Sequence, residues 1–395
     1  MEQPIFWTAP QESERFVLMH RDEHRRNALR EIDFVNTSSQ QRPERPLRLN
    51  YSLFVAETDQ GLAINVADAD PITLQGDYEL LLRVLAAADG VAVEAEIVSS
   101  LRSDYSQDQV TQALEFARSR NLVREVSTID PIHSRDLGKW DRQIRNFTNL
   151  SGVSDDEALS FHQQLAESHV LVLGVGGVGG YVASAAAMMG IERLTVADFD
   201  TIELSNTSRQ ILYTEADVGR TKLEVALQEL TRRAPAASIN AIDAEVTDVD
   251  SMKRLLNQAT EKNGHIDLLV LCADQPRGKI AYIVDQACSE SMTPVLMCGP
   301  HDFSWASVGP LIIPGTTGSY SELFPKDSTR MTGPLVSKVN DRFVANIMEP
   351  YNGLAAKMAL VEAVKFLSGY ARPFVEGRVV DLDTTNWSVT VHDIT

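Results

Sequence analysis

The stretch VLVLGVGGVGG, residues 170–180, decides how the chain folds. Four apolar residues lead into Gly174-x-Gly176-Gly177-x-Gly179, and small and apolar residues continue to Ile191. From Val170 to Ile191 there are 22 residues without a charge, with Gly176-x-x-x-Gly180 inside them, which is also how a membrane span with a packing motif reads. Six glycines in that run argue otherwise. The spacing predicts a buried strand, a tight glycine turn and a buried helix over Gly177 to Met189. Glycines in such a turn let backbone N–H groups come close to a phosphate or ribose at the helix N-terminus. Asp198 ends the next apolar run, RLTVADFD, where an acidic residue meets ribose hydroxyls. Alone, this pattern says nucleotide, with an NAD-linked oxidoreductase as its default reading.

Downstream of the turn, helices alternate with short apolar runs. A helix is expected over Val218 to Arg233, strands at SINAIDAEV and IDLLVLCAD, a helix over Arg277 to Ser291, and strands at TPVLMCG and SWASVGPLIIPG. Residues 315–340 read as a mobile polar loop, Leu354 to Leu367 as an apolar helix, and GRVVDLD with WSVTVHD as a final strand pair. The fold class is α/β, a Rossmann-like, mostly parallel sheet with helices on both faces. Upstream, Ser154 and Glu157 have capping-box spacing and open a helix to about Ser168.

Residues 46–130 read as a smaller α+β domain. Strands at LRLNYSLFVAE and GLAINVAD precede a helix, DYELLLRVLAAADG, that ends at a glycine cap; two more helices and the short strand LVREVS follow. That order is winged-helix-like. Residues 1–45 form an N-terminal extension with a short polar helix over His20 to Ile32, on which His20 and His24 read as surface histidines. Residues 131–395 form the larger domain, entered through KWDRQIRNF.

The chain has 395 residues, 36 basic and 55 acidic, for a net charge of −19. A basic footprint for nucleic acid is missing, and the last helix of the small module offers only Arg118 and Arg120, so a protein or peptide partner is expected there and no nucleic acid. Neither a signal peptide nor a membrane span is expected. Three cysteines, Cys272, Cys288 and Cys298, without a C-x-x-C pair, exclude a disulfide framework and a four-cysteine zinc site and fit a cytoplasmic home.

Beyond Asp198 come Asp200, Ser205-Asn206-x-x-Arg209-Gln210, Asp217-x-Gly219-x-x-Lys222 and, at the tip of a later strand, Asp274. Hydride transfer needs no such cluster; a triphosphate does. Arginine offers phosphate a fork, lysine a point charge, and a carboxylate can hold Mg²⁺. VLVLGVGGVGG, ADFDTIELSNTSRQILYTEADVGRTK and LLVLCAD, with WDRQI as lead-in, together resemble the ThiF-type adenylating enzymes, relatives of ubiquitin-activating enzymes.

The resemblance implies ATP and Mg²⁺, with Gly174, Gly176, Gly177, Gly179, Asp198 and Asp200 on the adenosine side. It implies Asn206, Arg209, Gln210 and Lys222 on the phosphates, Asp274 on the metal, and Arg142 reaching the nucleotide of a second subunit in a homodimer. Neither zinc nor a thioester relay is expected, since the C-x-x-C pairs and the crossover-loop cysteine of many relatives are missing. The small front module resembles the leader-peptide recognition element of microcin C-type and pantocin-type maturation enzymes. That implies adenylation of a carboxylate, such as a glutamate side chain, on a ribosomally made precursor peptide bound through its leader, then intramolecular condensation. Nucleotide transfer to a peptide C-terminus and activation of a sulfur-carrier C-terminus are the alternatives. His301 and Asp302, after a strand end, read as a loop pair.

Overall fold

The computed structural model describes residues 44–394 except 68, 127–137, 151, 301–303 and 325–345. The expected helix at 20–32, His301, Asp302 and most of the 315–340 loop lie outside the described residues.

Eight strands form the main sheet: β6 (His169–Leu173), β7 (Arg193–Asp198), β8 (Ser238–Asp243), β9 (Leu268–Leu271), β10 (Val295–Pro300), β11 (Trp305–Ile312), β12 (Arg378–Asp383) and β13 (Ser388–Asp393). Their order is β13-β12-β11-β10-β9-β6-β7-β8. The five strands from β10 to β8 are parallel, and β11, β12 and β13 extend the sheet antiparallel. The chain runs outward from β6 through β7 to β8, then returns to the other side of β6 for β9. The order therefore reverses between β6 and β9, and ligands bind such sheets in the crevice at the strands' C-terminal ends at that point.

Helices cover both faces, because strands buried on two sides must shed water on two sides. On one face lie α5 (Asp155–Glu167), α6 (Gly177–Met189), α7 (Lys222–Arg233) and α11 (Glu349–Ser368), whose apolar residues join one core with Val170, Val172, Leu194 and Val196. On the other, α8 (Val249–Asn263) and α9 (Ile280–Ser291) enclose Leu171, Leu173, Leu269 and Leu271. α6 takes the boundaries its sequence predicts; the uncharged run 170–191 is a strand, a turn and a 13-residue helix. Among the described residues no helix is long and apolar enough to cross a membrane.

Several elements differ from the sequence reading. Residues 47–58 make two strands, β1 (Leu47–Leu49) and β2 (Phe54–Thr58), because a turn at 51–52 interrupts the alternation. β4 (Ile72–Leu74) joins β2 and β3 (Gly61–Asn65), and α8 and the four-residue α10 (Tyr320–Leu323) are further additions. α7 starts at Lys222, four residues late, because the Thr221 hydroxyl accepts from the Glu224 N–H and caps it there. α1 (Glu79–Ala87) closes before its glycine: Gly90, φ +91°, instead turns the chain so that its N–H reaches the Leu47 carbonyl.

The small module has its own core, in which Leu47, Leu62, Ile64, Val84, Val110 and Leu114 are buried among α1, α2 (Glu94–Ser100) and α3 (Gln107–Ser119). β1 pairs with β5 (Val123–Glu125), setting Arg48 opposite Arg124. The guanidiniums reach the start of α5 and the segment before it: Arg48 grips the buried Asp155 carboxylate at 2.5 and 3.0 Å, and Arg124 donates to the carbonyls of Thr148 and Val153. The expected capping box closes the same end of α5, the Ser154 N–H donating to Glu157 at 2.8 Å.

Two buried histidines give the fold a pH dependence. His162, on α5, bonds Gln143 through Nδ1; His169, opening β6, lies between the Gly264 and His265 carbonyls and the Thr195 hydroxyl. Burial holds both imidazoles below their ordinary value. The unfolded chain then binds protons where the native one does not, so this stability is complete above about pH 6.5 and declines as pH falls below it. The urea midpoint is expected to drop between pH 7 and 5.5; a flat midpoint over that range overturns the assignment.

Candidate active site

The glycine turn sits at the β6 end of the crevice. Gly174 has φ +89°, and a Cβ there would come 2.9 Å from the Ala273 nitrogen. At Gly179 a Cβ would meet the Gly174 carbonyl oxygen at 1.8 Å. Glycine is therefore required by geometry at both positions, and the turn closes tightly enough to aim the first N–H groups of α6 into the crevice.

Asp198, at the end of β7, is buried and bound by backbone. Its Oδ2 accepts the Val175 N–H at 2.7 Å, and its Oδ1 accepts the Phe199 and Asp200 N–H groups at 2.9 Å. A carboxylate has about four acceptor positions, so most of this one is spent shaping the turn. The buried Tyr213 hydroxyl donates to the Val175 carbonyl at 2.8 Å, gripping the same residue from its other side. Burial pushes that phenol up, so it remains a donor. Tyr213 lies within the ADFDTIELSNTSRQILYTEADVGRTK stretch but has no role assigned to it there.

Asp200 is about half exposed and accepts from Lys222 Nζ at 2.6 Å; Lys222 itself is buried at the start of α7. Its backbone N–H bonds the Asp200 carbonyl at 2.9 Å, which ties α7 to the end of β7. Asn206 is buried and caps a short helical turn, Leu204–Ser208, by accepting the Glu203 N–H. Arg209 follows, its Nη1 donating to the Ser205 carbonyl at 2.6 Å. Gln210 is buried against the turn: its Nε2 is 3.7 Å from a Cβ built on Gly176, and its Oε1 has no hydrogen-bond partner. An orphaned buried acceptor at a glycine cradle suits a ligand that brings a donor, as an adenosine does.

Asp274 stands just past β9, its side chain largely exposed and touching Arg277 Nη2 at 3.2 Å. Among the described residues no group of three metal-ligating side chains occurs. Mg²⁺ suits a site of this sort, because it keeps several waters and takes one or two carboxylates together with phosphates.

Arg142 is placed elsewhere. It is exposed on α4 (Asp141–Phe147), which is anchored at the far end of α6, where Trp140 and Gln143 donate to the Met188 and Met189 carbonyls at 3.0 Å. Thirteen helical residues, about 20 Å, separate that end from the turn. Arg142 instead lines a cavity of about 490 Å³ with Tyr51, Ser52, Arg145 and Asn149.

Two of the cysteines, Cys272 and Cys288, are not activated thiols. Cys272 and Cys298 have sulfurs 4.0 Å apart, and that contact together with burial pushes the Cys272 thiol well up; burial pushes Cys288 up to about 12.

The ThiF family model matches residues 141–395. The chain is 29% identical over 259 residues to the Sulfur carrier protein ThiS adenylyltransferase of Escherichia coli (strain K12), covering 65% of this chain and 91% of that protein. It is 27% identical over 252 residues to the Molybdopterin-synthase adenylyltransferase of the same strain, covering 59% and 91%. Among solved structures, E. coli MccB with AMPCPP and MccA superposes with a TM-score of 0.70 at 20% identity, covering 88% of this chain and 96% of that one. PaaA superposes with a TM-score of 0.67 at 22% identity, covering 87% and 98%. These superpositions extend the shared fold through the small front module. Family model, crevice geometry and adenylyltransferase relatives agree: the chain belongs to the ThiF family of ATP-dependent adenylating enzymes.

Proposed function

We propose that this enzyme adenylates a carboxylate, such as a glutamate side chain, on a ribosomally made precursor peptide and then closes the activated acyl group onto a nucleophile of the same peptide. The observation that carries this reading is the joining of two parts in one chain. Arg209, Lys222 and Asp274 lie around a nucleotide-type turn, and a separate small core presents an open sheet edge. MccB, whose fold this chain shares, has been solved in complex with N-formylated MccA.

The residues divide the work. The turn from Gly174 to Gly179 and Gln210 would hold adenosine, with Asp198 shaping the turn and Asp200 accepting from the ribose. Lys222, released from Asp200, and Arg209 would carry the phosphates with Asn206 beside them. Asp274 would hold Mg²⁺, which neutralises phosphate charge. The peptide carboxylate oxygen bonds to the α-phosphorus, the bond to the β-phosphate bridge breaks, and pyrophosphate leaves; fixed cations stabilise the charge that develops. Arg142 lies too far to serve its own subunit's turn, so its expected role requires a two-fold homodimer that brings it to the other protomer's nucleotide. Free thiols suit a cytoplasmic enzyme.

Leader binding belongs to β2. It is an edge of the three-stranded sheet, with Phe54 64% exposed. The Thr58–Gly61 pair closes a two-residue turn, so ladder alternation aims the N–H groups of Val55 and Glu57 at the open edge. An added peptide strand would bond there.

The deciding experiment is peptide-dependent ATP–pyrophosphate exchange and mass analysis, using synthetic copies of any short peptides encoded near the gene. Exchange with loss of water supports the reading; an added nucleotide points to transfer instead, and no exchange overturns it. Lys222→Met is expected to lower exchange at least 100-fold while leader affinity stays within twofold. Glu57→Pro is expected to weaken leader binding at least tenfold, read by fluorescence anisotropy, with an unchanged melting temperature. Tyr213→Phe is expected to raise KM for ATP several-fold by loosening Val175.

A further inference from the structure

One polar pair beside the crevice is unused by the adenylation step. α6 and α11 pack along each other, and their seam begins at the glycine turn. Asn352 is buried and comes so near Gly177 that a Cβ there would lie 2.4 Å from its Nδ2, which also reaches the Arg209 carbonyl at 3.5 Å. One turn along α6, the Tyr181 ring packs 3.5 Å from a Cβ built on Gly353. The Tyr181 hydroxyl donates to Glu349 Oε1. Tyr181 and Glu349 are both half-buried, so the pair is open to a ligand. Side chains on a helix lean toward its N-terminus, which tilts Tyr181 back toward the turn. Glu349 sits in the first turn of α11, where the helix dipole favours negative charge.

Condensation needs a proton acceptor, because an attacking N–H or O–H group must lose its proton as the acyl bond forms. The other site carboxylates are committed. In the adenylation reading Asp200 accepts from the ribose and Asp274 holds the metal, and Asp198 is held by three backbone N–H groups. Among the described residues Glu349 has no cation partner; its bond is to a phenol. A carboxylate in that position can accept a proton, and a tyrosine hydroxyl can relay one.

We propose that Glu349 is the general base of the second half-reaction, with Tyr181 as its relay and positioning residue. This inference rests on the adenylation reading above. The nucleophile's nitrogen or oxygen bonds to the acyl carbon, and the bond from that carbon to the phosphate oxygen breaks. AMP leaves with the electron pair. The nucleophile's proton passes to the Tyr181 oxygen while the Tyr181 proton passes to Glu349, or it goes to Glu349 directly.

The test separates the half-reactions in Glu349→Gln and Tyr181→Phe, using the same synthetic peptides with Mg·ATP. In Glu349→Gln, formation of the water-loss product is expected to fall about 100-fold, the range of a general base. Peptide-dependent pyrophosphate exchange is expected to fall no more than threefold, and added hydroxylamine, which attacks without a base, is expected to give the peptide hydroxamate at the wild-type rate. Tyr181→Phe is expected to show the same split, about tenfold. Product formation at the wild-type rate in Glu349→Gln overturns the proposal and leaves adenylation standing, as does a parallel fall of exchange and product in both variants. Failure of the wild-type enzyme to exchange overturns both.

Discussion

The Asp198 carboxylate on the Val175 N–H is the contact on which the rest of the site depends. It joins the end of β7 to the turn after β6, across two neighbouring parallel strands. The Gly174 N–H adds a bond to the Ala197 carbonyl, and the Tyr213 hydroxyl closes on the Val175 carbonyl. A single residue, Val175, is thereby held by both its N–H and its carbonyl, and the first turn of α6 inherits its direction. Preorganised donors are worth most where no reorganisation is left to do, which explains an acid that is buried and satisfied instead of exposed and waiting.

That constraint spreads outward through charge. Asp198 also binds the Asp200 N–H, which sets Asp200 to meet Lys222, and the Lys222 backbone returns to the Asp200 carbonyl. The cation is thus stored against a carboxylate within reach of the crevice. An unpaired buried ammonium would be costly, and a phosphate can replace the carboxylate partner without leaving the charge bare. A second device lies at the opposite end of α6. There Arg48 and Arg124 fasten the small module to the segment carrying Asp155, next to the helix that bears Arg142. The small module and the lead-in helix therefore share one hydrogen-bonded seam.

Much of this was readable from order and spacing. Strand β6, the glycine turn and α6 were legible because burial on both faces makes the run uniformly apolar and because glycine is needed where backbone meets backbone. The final hairpin, β12 with β13, was legible from its alternation. α8 was not read, although Met252, Leu255, Leu256 and Ala259 keep the i, i+3, i+4, i+7 spacing of a helix face behind the Asp248 cap. Nor was β4, three residues long and held only by its partner β3.

The sequence by itself determined the residue types and their linear distances: a phosphate-type turn, an acid after the next strand, cations in the following loop and a carboxylate at a later strand tip. It also lacks the C-x-x-C pairs and the crossover-loop cysteine that many relatives carry. Only the tertiary structure decided which acid shapes the turn and which stays half exposed beside it, because Asp198 and Asp200 differ in burial and not in kind. Only it separated Arg142 from the turn by the length of α6, and brought Tyr181 beside Glu349 across 168 residues. Hydrogen-bond partners depend on which helices pack together, and packing is a property of the whole core.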